Sequence, residues 1–172
     1  MSTVAGTATA QSGFALKGHY IVNTSTAEIA EEERQIPEAD GFGIGAEFVL
    51  PFGLGIGVSV FATYETISGD VETAELTVLG EANYFLRLAF IPVRPYVGIH
   101  AGLGRLGRDD PPAELEIEDR TRKQFGYQIG GRLQLTSAIG IDAQWRRMST
   151  SAEEIQDDSF DREQVLIGVT LF

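Results

Sequence analysis

Ten ionisable side chains stand out in this 172-residue chain: Lys17, His19, Glu47, Glu65, Glu75, Glu81, His100, Arg132, Asp142 and Arg146. Each lies in a run where every second residue is apolar, and each falls on the polar parity of its run. Groups gathered on one side in this way could neutralise one another as ion pairs, or could relay protons or small ions. His19 and His100 could also bind a metal or act in catalysis. Neither has an H-x-x-x-H or His–carboxylate spacing of the metal-binding type, so both are read as hydrogen-bonded interior histidines. No catalytic residue, metal ligand or cofactor is therefore assigned. The glycines at 41–45 and 53–57 imitate phosphate loops, but no helix follows them, which leaves packing as their role.

Those groups are positioned by strands, because alternation rather than helical period dominates the chain. "GFALKGHYIVN" sets Phe14, Leu16, Tyr20 and Val22 against Lys17, His19 and Asn23. "KQFGYQIGGRLQL" sets Phe125, Tyr127, Ile129, Leu133 and Leu135 against Gln124, Gln128, Arg132 and Gln134. Similar runs surround Glu47, Val58, Glu81, His100 and Asp142, and a last one ends at Phe172, giving about eight strands of 9–13 residues. Long polar connections follow the first, fifth and seventh strands, with the shorter "SGDVET" after the third. The links after the second and sixth, "PFG" and "TSA", are tight, and "LRLAFIPV" after the fourth is intermediate. All long connections of an up-and-down sheet then fall at one end. Counted from the short turns, Glu47, Glu81, Arg132 and Asp142 lie three to five residues up and share a layer. Charge confined there must be paired or hydrogen-bonded.

Composition narrows the partners. A net charge of −12 excludes a nucleic-acid surface, and the absence of Cys excludes disulfides and thiolate chemistry. No apolar run reaches the ~20 residues of a membrane helix, but a spanning strand needs only about 9–11. Residues 1–12 contain Ala8-Thr9-Ala10, an A-x-A pattern. They are read as a disordered lead-in or a signal-peptide remnant, ahead of a single domain at 13–172.

Alternation alone leaves open which face points inward. A soluble lipocalin-like carrier would bury the apolar face, whereas a membrane barrel turns it to lipid. The polar face is rich in Gly, Ser and Thr, which suits the narrow interior of eight strands. Phe42, Tyr64, Phe125 and Tyr127 lie toward the long-loop end, and Phe14, Phe48 and Tyr84 toward the short turns. Rings at both ends suit two bilayer interfaces. The expected fold is all-β: an eight-stranded antiparallel up-and-down transmembrane β-barrel.

The terminal Phe172, the "NYF…RPYVGIHAGLG" stretch and the short-turn, long-loop alternation together resemble the small OmpA/OmpX-like outer-membrane barrels of bacteria, over residues 13–172. The resemblance implies a monomer in the outer membrane, contacting membrane lipid and lipopolysaccharide. It also implies that the barrel-assembly machinery reads the aromatic C-terminal strand. Counting back from Phe172 departs from the family, giving Thr170, Gly168 and Leu166, while Leu171, Val169 and Ile167 supply the apolar register. Leu171 is therefore placed toward lipid, with Phe172 capping the periplasmic rim. Some eight-stranded barrels modify lipid A with a His and a nearby Ser. "GHYIV" and "GIHAG" have no Ser beside the His, so no enzymatic activity is carried over. The expected function is structural or surface-interacting, with a narrow channel as the alternative and a soluble carrier as a third. Divalent cations could meet the acidic segments "EIAEEER", "DDPPAELEIED" and "EEIQDD", although no EF-hand spacing is present.

Overall fold

The computed structural model describes residues 13–23, 26–29, 32–35, 40–67, 71–86, 88, 92–108, 121–151 and 159–172. The expected lead-in at 1–12 lies outside them. The alternating runs form β1 (Gly13–Asn23), β4 (Asp40–Val49), β5 (Leu54–Ile67), β6 (Val71–Phe85), β7 (Val93–Arg108), β8 (Thr121–Gln134), β9 (Ile139–Ser151) and β10 (Ser159–Leu171). A separate hairpin, β2 (Thr26–Ile29) with β3 (Glu32–Gln35), stands within the first long connection. The eight longer strands close in the order β1-β10-β9-β8-β7-β6-β5-β4, all pairs antiparallel. Closure is made by β1, whose Leu16 lies opposite Leu171 of β10 and Ala46 of β4.

Strands at the long-loop end exceed the lengths expected from sequence. β5 ends at Ile67 and β6 begins at Val71, so the last three residues of "SGDVET" are strand. β7 runs to Arg108, β9 to Ser151, and β10 starts at Ser159. Apolar alternation stops where lipid stops, whereas backbone pairing continues and satisfies the same N–H and C=O groups in water. The short turns are set by local chemistry. Gly53 adopts φ +96°, a left-handed conformation that other residues rarely take, and its N–H donates to the Leu50 carbonyl at 2.9 Å. In "TSA", Thr136 Oγ1 accepts from the N–H groups of Ala138 (3.2 Å) and Ile139 (3.0 Å). The N–H of Phe172 donates to the Ala138 carbonyl at 3.0 Å, tying the chain end to this turn.

Burial is inverted relative to a soluble protein. On β8, Ile129 is 53% exposed while its neighbour Gln128 is 1% exposed. The same inversion holds around the barrel: Ile44, Val58, Ile99 and Ile167 face out, while Glu47, Ser59, His100 and Asp142 are buried. Leu171, Val169 and Ile167 all face outward, which settles the register of the last strand. An apolar belt on every strand has no place in water, where exposed apolar patches stay small, and suits a bilayer as solvent.

The interior is layered. Near the short turns, Val49, Phe85 and Tyr96 form an apolar cluster. Toward the long-loop end, Ile21, Phe61, Leu79, Met148 and Leu166 form a second. The charged groups fill the space between and above.

Candidate functional site

The charged lumen is built by inward residues of β1, β4, β6, β7, β8 and β9. Lys17, His19, Glu47, Glu81, His100, Arg132, Asp142 and Arg146 are all buried there. Glu75 is buried higher up, and the side chain of Glu65 lies outside the described residues. Lys17 Nζ lies 2.6 Å from Glu81 Oε2 and 4.0 Å from Glu47 Oε1. Arg132 bridges two carboxylates: its Nη2 is 2.9 Å from Glu47 Oε2, and its Nε is 3.1 Å from Asp142 Oδ2. Arg146 Nη2 lies 3.8 Å from Glu81 Oε1. Three cations thus face three carboxylates within one connected set.

Neutral groups complete it. Asn83 Nδ2 donates to Glu47 Oε1 at 2.9 Å, and Gln128 Nε2 donates to Asn83 Oδ1 at 2.6 Å. Tyr96 Oη lies 2.9 Å from Asp142 Oδ1 and 2.7 Å from the Gln144 amide. Both contacts are to oxygen acceptors, the second being Gln144 Oε1, so the single phenolic proton is shared between them. The guanidinium of Arg132 also lies over the Phe85 ring at 4.8 Å and the Phe172 ring at 6.0 Å. That of Arg146 lies over Phe61 at 4.3 Å. Each apolar cluster is thereby fastened to the charged layer by a cation–π contact.

The histidines do not form a site with one another. β1 and β7 are diametrically opposite in the barrel order. His19 Nε2 lies 3.3 Å from Asp142 Oδ1, a His–carboxylate contact across 123 residues that local spacing could not reveal. His100 lies opposite Glu81 and Gly126 in the sheet, its ring over the space that a Gly126 side chain would take. Among the described residues, no group of three or more His, Asp or Glu could hold a metal ion.

A second, smaller set lies above the upper apolar cluster. Glu75 accepts from Gln124 Nε2 at 2.5 Å and pairs with Arg162 Nη1 at 2.8 Å. A cavity of about 10 Å³ between Phe61, Leu79, Arg146 and Arg162 has room for roughly one water. Sequence reasoning missed Tyr96 and Arg162. Both carry the inward parity of their runs, but the signal for their partners is long-range.

No family model and no curated protein sequence matches the chain. Solved structures do. Neisserial surface protein A (NspA) superposes with a TM-score of 0.74 at 17% identity, covering 93% of this chain and 97% of that one. The fold is that of the small bacterial outer-membrane barrels. OprG from Pseudomonas aeruginosa follows with a TM-score of 0.63 at 8% identity, over 95% of this chain and 97% of that one. Ail, the attachment invasion locus protein of Yersinia pestis, solved with the heparin analogue sucrose octasulfate, has a TM-score of 0.61 at 13% identity. It covers 94% of this chain and 99% of its own. Identities this low carry the fold alone.

Proposed function

We propose that this protein is a closed outer-membrane barrel whose role is structural or surface-interacting, exercised by the segments at its long-loop end rather than by its lumen. The observation that carries this reading is the filled interior. Two apolar clusters bracket a charge-balanced network, and aromatic rings stand against two of the inward glycines. A side chain at Gly43 would meet the Phe61 ring, and one at Gly130 would meet the Tyr96 ring, so aromatic groups already occupy those spaces. Opening a conducting path would require Arg132 to leave both carboxylates and would strand buried charge.

The inverted burial argues against a soluble carrier, whose barrel would be lined by apolar groups. The reading is non-enzymatic, with both histidines enclosed in the lumen. Two of the structural relatives, NspA and Ail, are named for the cell surface or for attachment, which fits a surface role on this fold. Planar-bilayer recording of the purified protein tests the proposal. Silence, or rare unstable events, is the expected result. Stable steps that scale with salt and change in Glu47→Gln or Arg132→Gln would make the barrel a channel.

A further inference from the structure

Two guanidinium groups border the small cavity in the upper lumen. Arg146 of β9 with Arg162 and Gln164 of β10 line it on one side, and Thr63 of β5 with Thr77 of β6 on the other. In the barrel order, β9 and β10 stand diametrically across from β5 and β6, so the cavity spans the lumen rather than a crevice in its wall. Among the described residues, no carboxylate lines it. The acidic partners of the two arginines lie off that lining and serve them unequally. Arg162 Nη1 is 2.8 Å from Glu75 Oε2, whereas Arg146 Nη2 stops 3.8 Å from Glu81 Oε1, too far for a hydrogen bond. Among the described residues, Nε and Nη2 of Arg146 have no hydrogen-bond partner, although the residue is only 1% exposed. A buried charged donor without an acceptor is costly, so this one calls for a ligand that accepts.

The lining narrows what that ligand is. Guanidinium groups only donate, while the Thr63 hydroxyl and the Gln164 amide can each turn a donor toward the space. A water molecule brings two protons of its own to a place already rich in donors. An anion accepts from every side. A volume of about 10 Å³, roughly one water, excludes phosphate, sulfate and carboxylates and leaves a monatomic ion. Met148 borders the space, and its unbranched, flexible side chain can yield to an ion slightly larger than water. The side chain of Arg162 is 19% exposed against 1% for Arg146, which puts Arg162 at the mouth and Arg146 inside. We infer that Arg146 and Arg162 together hold one halide ion, chloride, in the upper lumen. The site goes beyond the closed-barrel reading and leaves it standing, because an ion held between two arginines does not cross the charged layer.

Bromide replaces chloride in crystals of the purified barrel, and anomalous scattering at the bromine edge locates it. One peak between the two guanidinium groups is expected. In solution, in neutral detergent, chlorine NMR line broadening should contain a saturable component. Arg162→Gln should raise the half-saturating chloride concentration at least about tenfold, the loss of one charged hydrogen-bond donor. Arg105→Gln, on the outer wall, should leave it unchanged, and sulfate at equal ionic strength should not displace the ion. A water alone at this place, with no bromine peak, would overturn the site. So would a peak without saturation in solution, which is binding at crystal concentration only, or an Arg162→Gln barrel that binds like the parent. Displacement by sulfate as effective as by bromide would do the same, since general screening would then suffice. The bromide measurement uses the parent protein, so it decides the question even if Arg162→Gln fails to fold. Stable conductance steps would count against the closed barrel; a silent barrel that binds no halide counts against this site alone.

Discussion

Inside the barrel, four cations (Lys17, Arg132, Arg146 and Arg162) pair with four carboxylates (Glu47, Glu75, Glu81 and Asp142), whereas most of the chain's acidic residues fall in the sequence segments that connect β1 to β4, β5 to β6, β7 to β8 and β9 to β10. These paired groups contribute nothing to the net charge of −12. The difference follows from the solvent available. A charge enclosed in the lumen is poorly hydrated and persists only beside an opposite charge. A charge at the water-facing end is solvated and screened, so an excess of one sign is tolerated there. Balance marks the structural region, and imbalance marks the region free to vary with its surroundings.

Arg132 tests the first half of this contrast most severely. Replacing it with Met leaves Glu47 and Asp142 without their shared partner, and truncating one member of a buried network costs about 3–5 kcal/mol. Arg105→Met, at an exposed position on the same barrel, should change stability by no more than about 0.5 kcal/mol. Urea unfolding from lipid vesicles compares the two. Equal midpoints would mean that Arg132 is hydrated and the lumen is not sealed.

The outer wall supplies the next largest effect. Ile129 is 53% exposed to what the fold makes lipid, so Ile129→Arg should cost about 2–4 kcal/mol, as charge does near a bilayer midplane. The same substitution at Thr121, beyond the apolar belt on the same strand, should be close to neutral. Equal folding efficiency for both variants in liposomes would contradict the inverted burial.

How much of this was legible in the sequence depends on the range of the interaction. Parity is local, so Ile129 outward and Gln128 inward follow from two adjacent letters of an alternating run. The inward placement of Phe61, Leu79 and Phe85 follows the same way. Strand ends were less legible, because "TRK" at the start of β8 and "MSTS" at the end of β9 have no apolar alternation. They are strand because their neighbours pair with them. Partners across the lumen were not legible at all. Lys17 meets Glu81 64 residues away, and Glu75 meets Arg162 87 residues away. Only the shear of a closed barrel decides which inward residues share a layer, and no short window contains it.

Glycine gives a smaller and more local version of the same contrast. Gly43→Ala places a methyl group against the Phe61 ring inside the lumen, an overpacking that should cost about 1–3 kcal/mol. Gly80 faces outward, and a methyl group there meets only the Ala101 carbonyl oxygen at 3.7 Å, an ordinary contact. Gly80→Ala should therefore be neutral or slightly stabilising, since Gly weakens a strand. Equal destabilisation by both would show that the lumen has slack for Phe61 to move.

Salt provides the smallest effect and the sharpest division between the two regions. The Debye length falls from about 10 Å at 0.1 M to about 3 Å at 1 M, which removes most interactions among exposed charges. Asp40 is exposed at the long-loop end of a chain whose net charge is −12, and Asp40→Asn should be slightly stabilising at low salt. That gain should shrink toward zero as salt rises to 1 M. The Arg132→Met penalty has a different origin, the desolvation of Glu47 and Asp142 behind apolar layers that ions do not enter. It should stay the same across the series, within about 0.5 kcal/mol. Unfolding midpoints of the parent and both variants at several salt concentrations, in uncharged lipid, give the comparison. A penalty for Arg132→Met that falls with salt in step with the Asp40 effect would place the lumen charges in contact with bulk electrolyte, and the barrel would then be open.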